Sequence, residues 1–199
     1  MTRPPQPDPT ELAGYEVVVG ICGGIAAYKV ATLVSSLVQR GAGVTVAMTD
    51  AAQKFITPLT FQSLTARQVF TDLWQSENYY DPQHLNLTEK ADAFVIAPAT
   101  ANMIGKIARG LADDLLSTMV MSAACPVLLA PAMNTRMWQN AIVQENVKSL
   151  EKHGFLMVPP GEGWLACRTI GAGRMAEPQD ILTNVIQLLK KSPPKSAAK

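Results

Sequence analysis

The sequence predicts a three-layer, doubly wound α/β domain with a mainly parallel sheet. Short apolar runs of strand length alternate with segments of helical periodicity, and strands separated by helices imply right-handed βαβ crossovers. The segments rich in glycine, proline and small polar residues directly follow the apolar runs. Ligands bind beyond the carboxyl ends of the strands in such a sheet, so these segments are expected to build one site.

The first unit of the fold is a strand followed by a helix. Residues 15–22 (YEVVVGIC) form a β-branched apolar run ended by glycines, which is typical of a buried strand. Residues 25–40 place their apolar side chains on one helical face, and Gly41 follows as a C-cap. Further strands are predicted at residues 44–49, 94–99 and 126–132, with 155–159 as a candidate fifth; further helices are predicted at about 101–110, 113–124, 136–152 and 179–190. Residues 55–90 predict only short helices and a loop.

Length and composition predict one domain over residues 15–190, with no linker inside it. The first ten residues contain four prolines and the last ten read KKSPPKSAAK, so residues 1–14 and 191–199 are predicted to be disordered tails. No apolar run reaches membrane-spanning length, and the N-terminus lacks the apolar core of a signal peptide, which favours a cytoplasmic protein.

Charge and cysteine content exclude several classes of function. The net charge of +1 and the absence of a basic stripe argue against a nucleic-acid-binding protein. The three cysteines are widely spaced and form no C-x-x-C pair, which fits a reducing compartment and argues against disulfides or a zinc site.

The first glycine-rich segment, GICGGIAAYK, joins the first strand to the first helix. Gly23 and Gly24 leave bare backbone that a ligand can approach, and the N–H groups of the helix end can face an anion. A tight turn that needs glycine for its backbone angles is the alternative. Lys29, one turn into the helix, is interpreted as a solvated side chain.

Two later segments, APATANMIGK and APAMN, share the order strand, proline, small residue, polar residue. Thr100, Asn102 and Asn134 place short hydrogen-bonding side chains where the strands end. Helix capping explains any one of them, whereas the repetition on two strands favours a binding site. Asp113 and Asp114 are likewise interpreted as capping residues.

Two reactive side chains lie outside these turns. His84 can exchange a proton near neutral pH, although a single loop histidine is more often a surface residue. Cys167 lies in residues 161–177, where four glycines predict a flexible flap that closes over a substrate, or else an exposed loop.

Taken in order, the motifs resemble those of the homo-oligomeric flavin-containing cysteine decarboxylases, and among them the enzymes acting on 4′-phosphopantothenoylcysteine. The resemblance runs from about residue 15 to residue 178 and rests on GGIAAYK, HLNL, APATAN, GLADDLLST, PAMNTRMW and ACRTIGAGRM. Many members have a glycine and an acidic residue after the flap cysteine, where this chain has Arg168 and Thr169. Bacterial members often carry a second domain, so the chain is expected to be a standalone decarboxylase or a fragment of a longer protein.

The resemblance implies a flavodoxin-like or Rossmann-like sheet, bound FMN, and homotrimers or assemblies of trimers with active sites at subunit contacts. The implied catalytic residues are His84 as base or proton relay, Asn134 for the substrate carboxylate and Cys167 as the proton donor on the flap. The implied FMN-binding residues are Gly23, Gly24, Ile25, Thr49, Phe55, Thr100, Ala101, Asn102, Met103 and Ala132.

The implied reaction converts 4′-phosphopantothenoylcysteine to 4′-phosphopantetheine in coenzyme A biosynthesis. Loss of CO₂ from an ordinary carboxylate leaves a carbanion without an electron sink, so the flavin first oxidises the cysteinyl thiol and later returns the electrons to the enethiol. An oxidative peptidyl-cysteine decarboxylase of the same family, which would not need Cys167 as a donor, and a non-catalytic flavin-binding regulatory subunit are the alternatives.

Overall fold

The computed structural model describes residues 7–73 and 83–198 of the chain. In chain order the elements are β1 (Glu16–Ile21), α1 (Ala27–Val38), β2 (Gly43–Met48), α2 (Pro58–Thr65), β3 (Val69–Phe70), α3 (Gln83–Lys90), β4 (Ala93–Ala99), α4 (Ala101–Ala108), α5 (Leu115–Met121), β5 (Val127–Pro131), α6 (Thr135–Trp138), α7 (Ala141–Lys152), β6 (Leu156–Met157), β7 (Gly161–Trp164), β8 (Ile170–Arg174) and α8 (Pro178–Leu189). Two short 3₁₀ turns, Ala52–Lys54 and Lys195–Ala198, complete the described elements.

Six strands form a parallel sheet in the order β3-β2-β1-β4-β5-β6. The chain runs outward from β1 to β3 on one side and then returns to the centre, running outward from β4 to β6 on the other. The order therefore reverses between β1 and β4, where doubly wound sheets bind their ligands. The predicted doubly wound, mainly parallel fold is confirmed, with the strand order of the Rossmann-like variant.

The sheet separates two hydrophobic cores because side chains alternate along each strand. In β1, Val17 and Val19 face the core formed with α1 and α8, whereas Val18 faces the core formed with α4 and α5. This burial on both faces explains why the strands are continuous apolar runs in the sequence. Within the described residues, no helix is long and apolar enough to cross a membrane.

The structure differs from the predicted elements in three places. Residues 55–90 contain β3, which at two residues is too short to show a periodicity. The helix predicted at 136–152 is divided into α6 and α7, because Asn140 caps α7 by accepting a hydrogen bond from the backbone N–H of Ile142. The glycine-rich segment 161–177 contains the antiparallel hairpin β7–β8, called the flap hairpin below.

The described parts of the predicted disordered tails contact the domain through buried apolar, backbone and side-chain contacts. Leu12 is completely buried, and its backbone N–H donates to the carbonyl of Arg40 at 2.8 Å. At the other end, the backbone N–H of Lys195 donates to Asp92 Oδ1 at 2.8 Å. One apolar residue in a proline-rich segment gives no periodic signal, so sequence composition does not reveal these anchors.

Candidate functional site

A cleft of about 1160 Å³ lies at the carboxyl ends of the parallel strands, beside the β1–β4 reversal. Its walls come from the loops that follow β1, β2, β4 and β5, from residues 71–73 after β3, from Lys106 and residues 113–116 between and within α4 and α5, and from the flap hairpin. The loops after β1, β4 and β5 are the glycine- or proline-containing segments of the sequence, so the structure brings together the segments that were predicted to form one site.

Most of the site residues implied by the resemblance line this cleft. They are Gly23, Gly24, Ile25, Thr49, Thr100, Ala101, Asn102, Met103, Ala132, Asn134 and Cys167. Phe55 follows the 3₁₀ turn after β2, is half exposed and is not among the lining residues. His84 belongs to α3, but its side chain lies outside the described residues. The individual roles of all these residues remain predictions.

The loop after β1 is built closely against the loop after β2. A side chain at Gly23 would overlap Ala51, so glycine is needed there for contact within the protein. At Gly24 a methyl group would meet only Pro98 and Thr100, at 3.8 and 4.0 Å, which are ordinary contact distances. Packing within the described protein therefore does not require glycine at position 24, whereas a ligand lying on the bare backbone would.

The helix that follows this loop offers donors to an anion. Ala26, at the N-cap position of α1, makes no hydrogen bond from its side chain to the first turn. An α-helix has backbone N–H groups without intrahelical partners at its N-terminus, and these groups favour a phosphate or another anion. The N–H groups of Ala27 and Lys29 already donate to the carbonyls of Gly24 and Ala26. The open backbone at Gly24 and the remaining N–H groups at the start of α1 can accommodate an anionic group in the cleft.

Thr100 and Asn134 are the N-cap residues of the helices that follow two neighbouring strands, β4 and β5. The Thr100 hydroxyl accepts a hydrogen bond from the N–H of Met103 at 3.3 Å, and Asn134 Oδ1 accepts one from the N–H of Met137 at 2.9 Å. Each residue caps the helix after its strand, and each also lines the cleft. The capping and binding interpretations are therefore compatible at both positions.

Capping orients the amide of Asn134. A backbone N–H can only donate, so the atom facing Met137 must be the amide oxygen. The amide nitrogen makes no hydrogen bond to the described part of the chain, and the residue is exposed at the cleft. Asn134 can therefore present two N–H donors to a ligand carboxylate without carrying a charge itself.

The flap hairpin rests on the loop that contains Asn134. The N–H of Met133 donates to the carbonyl of Gly173 in β8 at 2.9 Å. Gly173 has a φ of +118°, and a side chain there would overlap the carbonyl oxygen of Met133. This close backbone contact joins the flap hairpin, which carries Cys167, to the loop that carries Asn134, and both residues line the cleft.

The three cysteines differ in environment. Burial raises the pKa of the Cys22 thiol to about 12 and that of Cys125 to about 11. Both thiols therefore stay protonated at neutral pH, as expected of apolar core residues. Cys167 is exposed, lines the cleft, and its Sγ lies 3.1 Å from Thr169 Oγ1.

The interpretation of Lys29 as a solvated side chain is wrong. Only 13% of the Lys29 side chain is exposed, and its Nζ lies 3.0 Å from Glu177 Oε1. Glu177 also pairs with Arg174 of the flap hairpin at 2.7 Å. The Lys29–Glu177 pair joins α1 to the N-cap residue of α8 across 148 positions of sequence, a separation at which no local pattern could identify the partner.

A second ion cluster borders the cleft around Lys106. Its Nζ lies 2.7 Å from Asp113 Oδ1 and 2.6 Å from Asp114 Oδ2. Burial acts to raise the pKa of Asp114, but hydrogen bonds from Lys106 and Ser117 outweigh it, so the pKa is lowered. Asp114 also forms a capping box with Ser117 at the start of α5, which confirms its predicted capping role.

The described residues contain no group of three or more His, Cys, Asp or Glu side chains that could hold a metal ion.

Comparisons with known proteins agree with this geometry. The coenzyme A biosynthesis bifunctional protein CoaBC of Bacillus subtilis (strain 168) is 45% identical over 166 residues, which are 83% of this chain and 41% of that protein. The chain thus spans about two fifths of the length of this relative.

Two solved structures cover nearly their whole chains. A cysteine-to-serine mutant of PPC decarboxylase, complexed with pantothenoylaminoethenethiol, matches with a TM-score of 0.80 and 34% identity over 89% of this chain and 99% of its own. The FMN-dependent cysteine decarboxylase SpaF matches with a TM-score of 0.77 and 29% identity over 90% and 97%. A family model described as Flavoprotein matches residues 5–190. The chain therefore belongs to the flavoprotein family.

Proposed function

We propose that the chain catalyses the FMN-dependent decarboxylation of 4′-phosphopantothenoylcysteine to 4′-phosphopantetheine in coenzyme A biosynthesis. The observation that carries the proposal is the cleft at the strand ends, which is lined by an uncharged amide, Asn134, and by an exposed thiol, Cys167. The matched PPC decarboxylase is covered over 99% of its chain, whereas the bifunctional relative is covered over 41%. The shared part therefore supports the decarboxylase activity.

FMN is the cofactor that both the family and the solved structures support. Bound in the cleft, it would supply a two-electron acceptor that allows the carboxylate to leave as CO₂. The residues proposed to hold it are Gly23, Gly24, Ile25, Thr49, Phe55, Thr100, Ala101, Asn102, Met103 and Ala132. The open backbone at Gly24 and the uncapped start of α1 support this assignment.

The chain's own residues then hold the substrate and move protons. Asn134 would bind the carboxylate through neutral donors, because a lysine or arginine there would stabilise the charged ground state and oppose the loss of CO₂. Cys167 would donate its proton to the enethiol carbon during re-reduction. His84 would act as the base or proton relay at the cysteinyl unit.

The proposal includes a homotrimer or an assembly of trimers with sites at subunit contacts. Ile25, Tyr28, Phe55 and Leu59 are large apolar side chains that are each at least half exposed. Ile25 and Tyr28 also line the cleft, so a neighbouring subunit that covered them would reach the site.

We also propose a cytoplasmic location, which the three unpaired cysteines favour.

The test is an assay of the purified, FMN-replete protein with 4′-phosphopantothenoylcysteine, in which CO₂ release and product mass are measured. The proposed reaction gives 4′-phosphopantetheine. If a peptide with a C-terminal cysteine instead lost CO₂ and two hydrogens, while the phosphopantothenoyl substrate was not turned over, the chain would be an oxidative peptidyl-cysteine decarboxylase. Bound FMN without turnover of either substrate would indicate a regulatory flavin-binding subunit.

Replacing Cys167 with serine is expected to change the product rather than abolish CO₂ release. A serine hydroxyl is a much weaker acid than a thiol, so protonation of the enethiol carbon should become the blocked step. We expect the Cys167→Ser protein to accumulate the enethiol, two hydrogens lighter than 4′-phosphopantetheine, as measured by mass spectrometry. Cys125→Ser is the matched control and should give the normal product. A Cys167→Ser protein that also gives the normal product would refute the role of this thiol.

A further inference from the structure

The Cys167 thiol is held by its own turn. Cys167 Sγ and Thr169 Oγ1 are 3.1 Å apart at the tip of the flap hairpin. The turn itself is fixed by two backbone hydrogen bonds of 2.9 Å, from the N–H of Leu165 to the carbonyl of Thr169 and from the N–H of Arg168 to the carbonyl of Leu165. Arg168 adopts a φ of +64°, so the chain reverses at this residue and brings the side chains of its two neighbours together.

We propose that Thr169 is a positioning residue for Cys167, whose hydroxyl orients the thiol before proton transfer and hydrogen-bonds to the sulfur afterwards. This inference rests on the proposed function. In the step concerned, the S–H bond of Cys167 breaks and its electron pair stays on the sulfur. The C=C electron pair of the enethiolate forms the new C–H bond, and the sulfur-bearing carbon becomes a thioaldehyde carbon that can take up two electrons. The two electrons for re-reduction are those that the cofactor took up earlier in the proposed reaction.

A hydroxyl suits both stages because it can donate to the sulfur in each. While Cys167 is a thiol, the O–H of Thr169 can donate to a lone pair of the sulfur, which leaves the S–H hydrogen free to point at the substrate. Once Cys167 is a thiolate, the same O–H donates to the charged sulfur. Hydrogen bonds to the charged form of a group favour that form, so Thr169 should ease the transfer.

The alternative is that Thr169 serves only to shape the turn. A β-branched side chain at the end of a turn needs no hydroxyl for that purpose, and valine has nearly the same shape. Thr169→Val and Thr169→Ser therefore separate the two explanations, since valine keeps the branch and serine keeps the oxygen.

The experiment measures two properties of the FMN-replete variants. The first is the rate at which iodoacetamide alkylates Cys167 at about pH 8, measured from the mass of the peptide that contains Cys167. Cys22 and Cys125 react slowly at this pH because their thiols, with pKa values of about 12 and 11, stay protonated. The second is the fraction of product that leaves as the lighter enethiol.

We expect Thr169→Val to slow alkylation about fivefold and to raise the enethiol fraction, because one hydrogen bond to the sulfur is lost. Thr169→Ser should match the parent in both measurements. The matched control is Thr183→Val, which removes an exposed hydroxyl that donates to the carbonyl of Gln179 in α8 and should change neither measurement.

Parent-like alkylation and a parent-like product ratio in Thr169→Val would overturn the proposal, and so would a Thr169→Ser protein that behaves like the valine variant. Failure of the proposed function would look different, because the parent itself would release no CO₂ from the substrate. The alkylation rates would then still decide whether the Thr169 hydroxyl holds the thiol.

Discussion

Asn134→Asp is expected to lower kcat/KM about 10³-fold while leaving the fold intact. The substituted carboxylate would face the substrate carboxylate across the contact that we propose for the amide N–H groups. Two like charges about 4 Å apart repel by about 4 kcal/mol at an effective dielectric constant of about 20. A barrier increase of that size corresponds to about three powers of ten in rate.

Asn134→Asp changes the charge at the cleft without removing the cap of α6. Its Oδ1 accepts the N–H of Met137, and an aspartate oxygen can accept the same hydrogen bond, since Asp and Asn are equally good N-caps. The melting temperature and FMN content should therefore match those of the parent. Alanine would confound the result, because it removes the cap as well as the donor.

Asn140→Asp supplies the matched control. Asn140 caps α7 through its Oδ1, is exposed, and does not line the cleft. The identical chemical change should therefore leave kcat/KM unaltered. An Asn134→Asp enzyme within about tenfold of the parent, measured by CO₂ release, would show that Asn134 does not bind the carboxylate.

The architecture and the site location were predictable because they depend on local patterns. A buried parallel strand reads as a continuous apolar run, as residues 15–22 do, and the loops that follow such strands must meet at one edge of the sheet. The cap residues Thr100 and Asn134 were identified for the same reason, since a polar residue between a strand and a helix has few other roles.

The features that were missed depend on contacts between distant residues or on register. Lys29 looks like a surface lysine until the fold brings Glu177 to it. The flap segment reads as a flexible loop because its glycines suppress the alternation of a strand, yet those glycines allow the hairpin to lie against the Met133 backbone. The pairing of Cys167 with Thr169 follows from the turn at Arg168, which composition does not indicate.

Gly173→Ala is expected to reduce turnover about 10²-fold and to shift the product toward the enethiol. The new methyl group would overlap the carbonyl oxygen of Met133, and the φ of +118° is strained for any residue with a side chain. The simplest relief is for β8 to move away from the loop that carries Asn134. Misplacing a reacting group by about 1 Å can cost about 10²-fold in rate, and here the displaced group is the Cys167 thiol.

Gly154→Ala separates this displacement from backbone strain alone. Gly154 has a φ of +88°, and a methyl group there would meet no described atom within 4 Å. Both variants should melt at a lower temperature than the parent, because alanine is strained at positive φ. Only Gly173→Ala should give the lighter product, measured by mass spectrometry alongside CO₂ release. If the two variants gave the same product ratio, the contact between β8 and the Met133 backbone would not position the Cys167 thiol. The position of the hairpin relative to the substrate would then have to be set by other contacts.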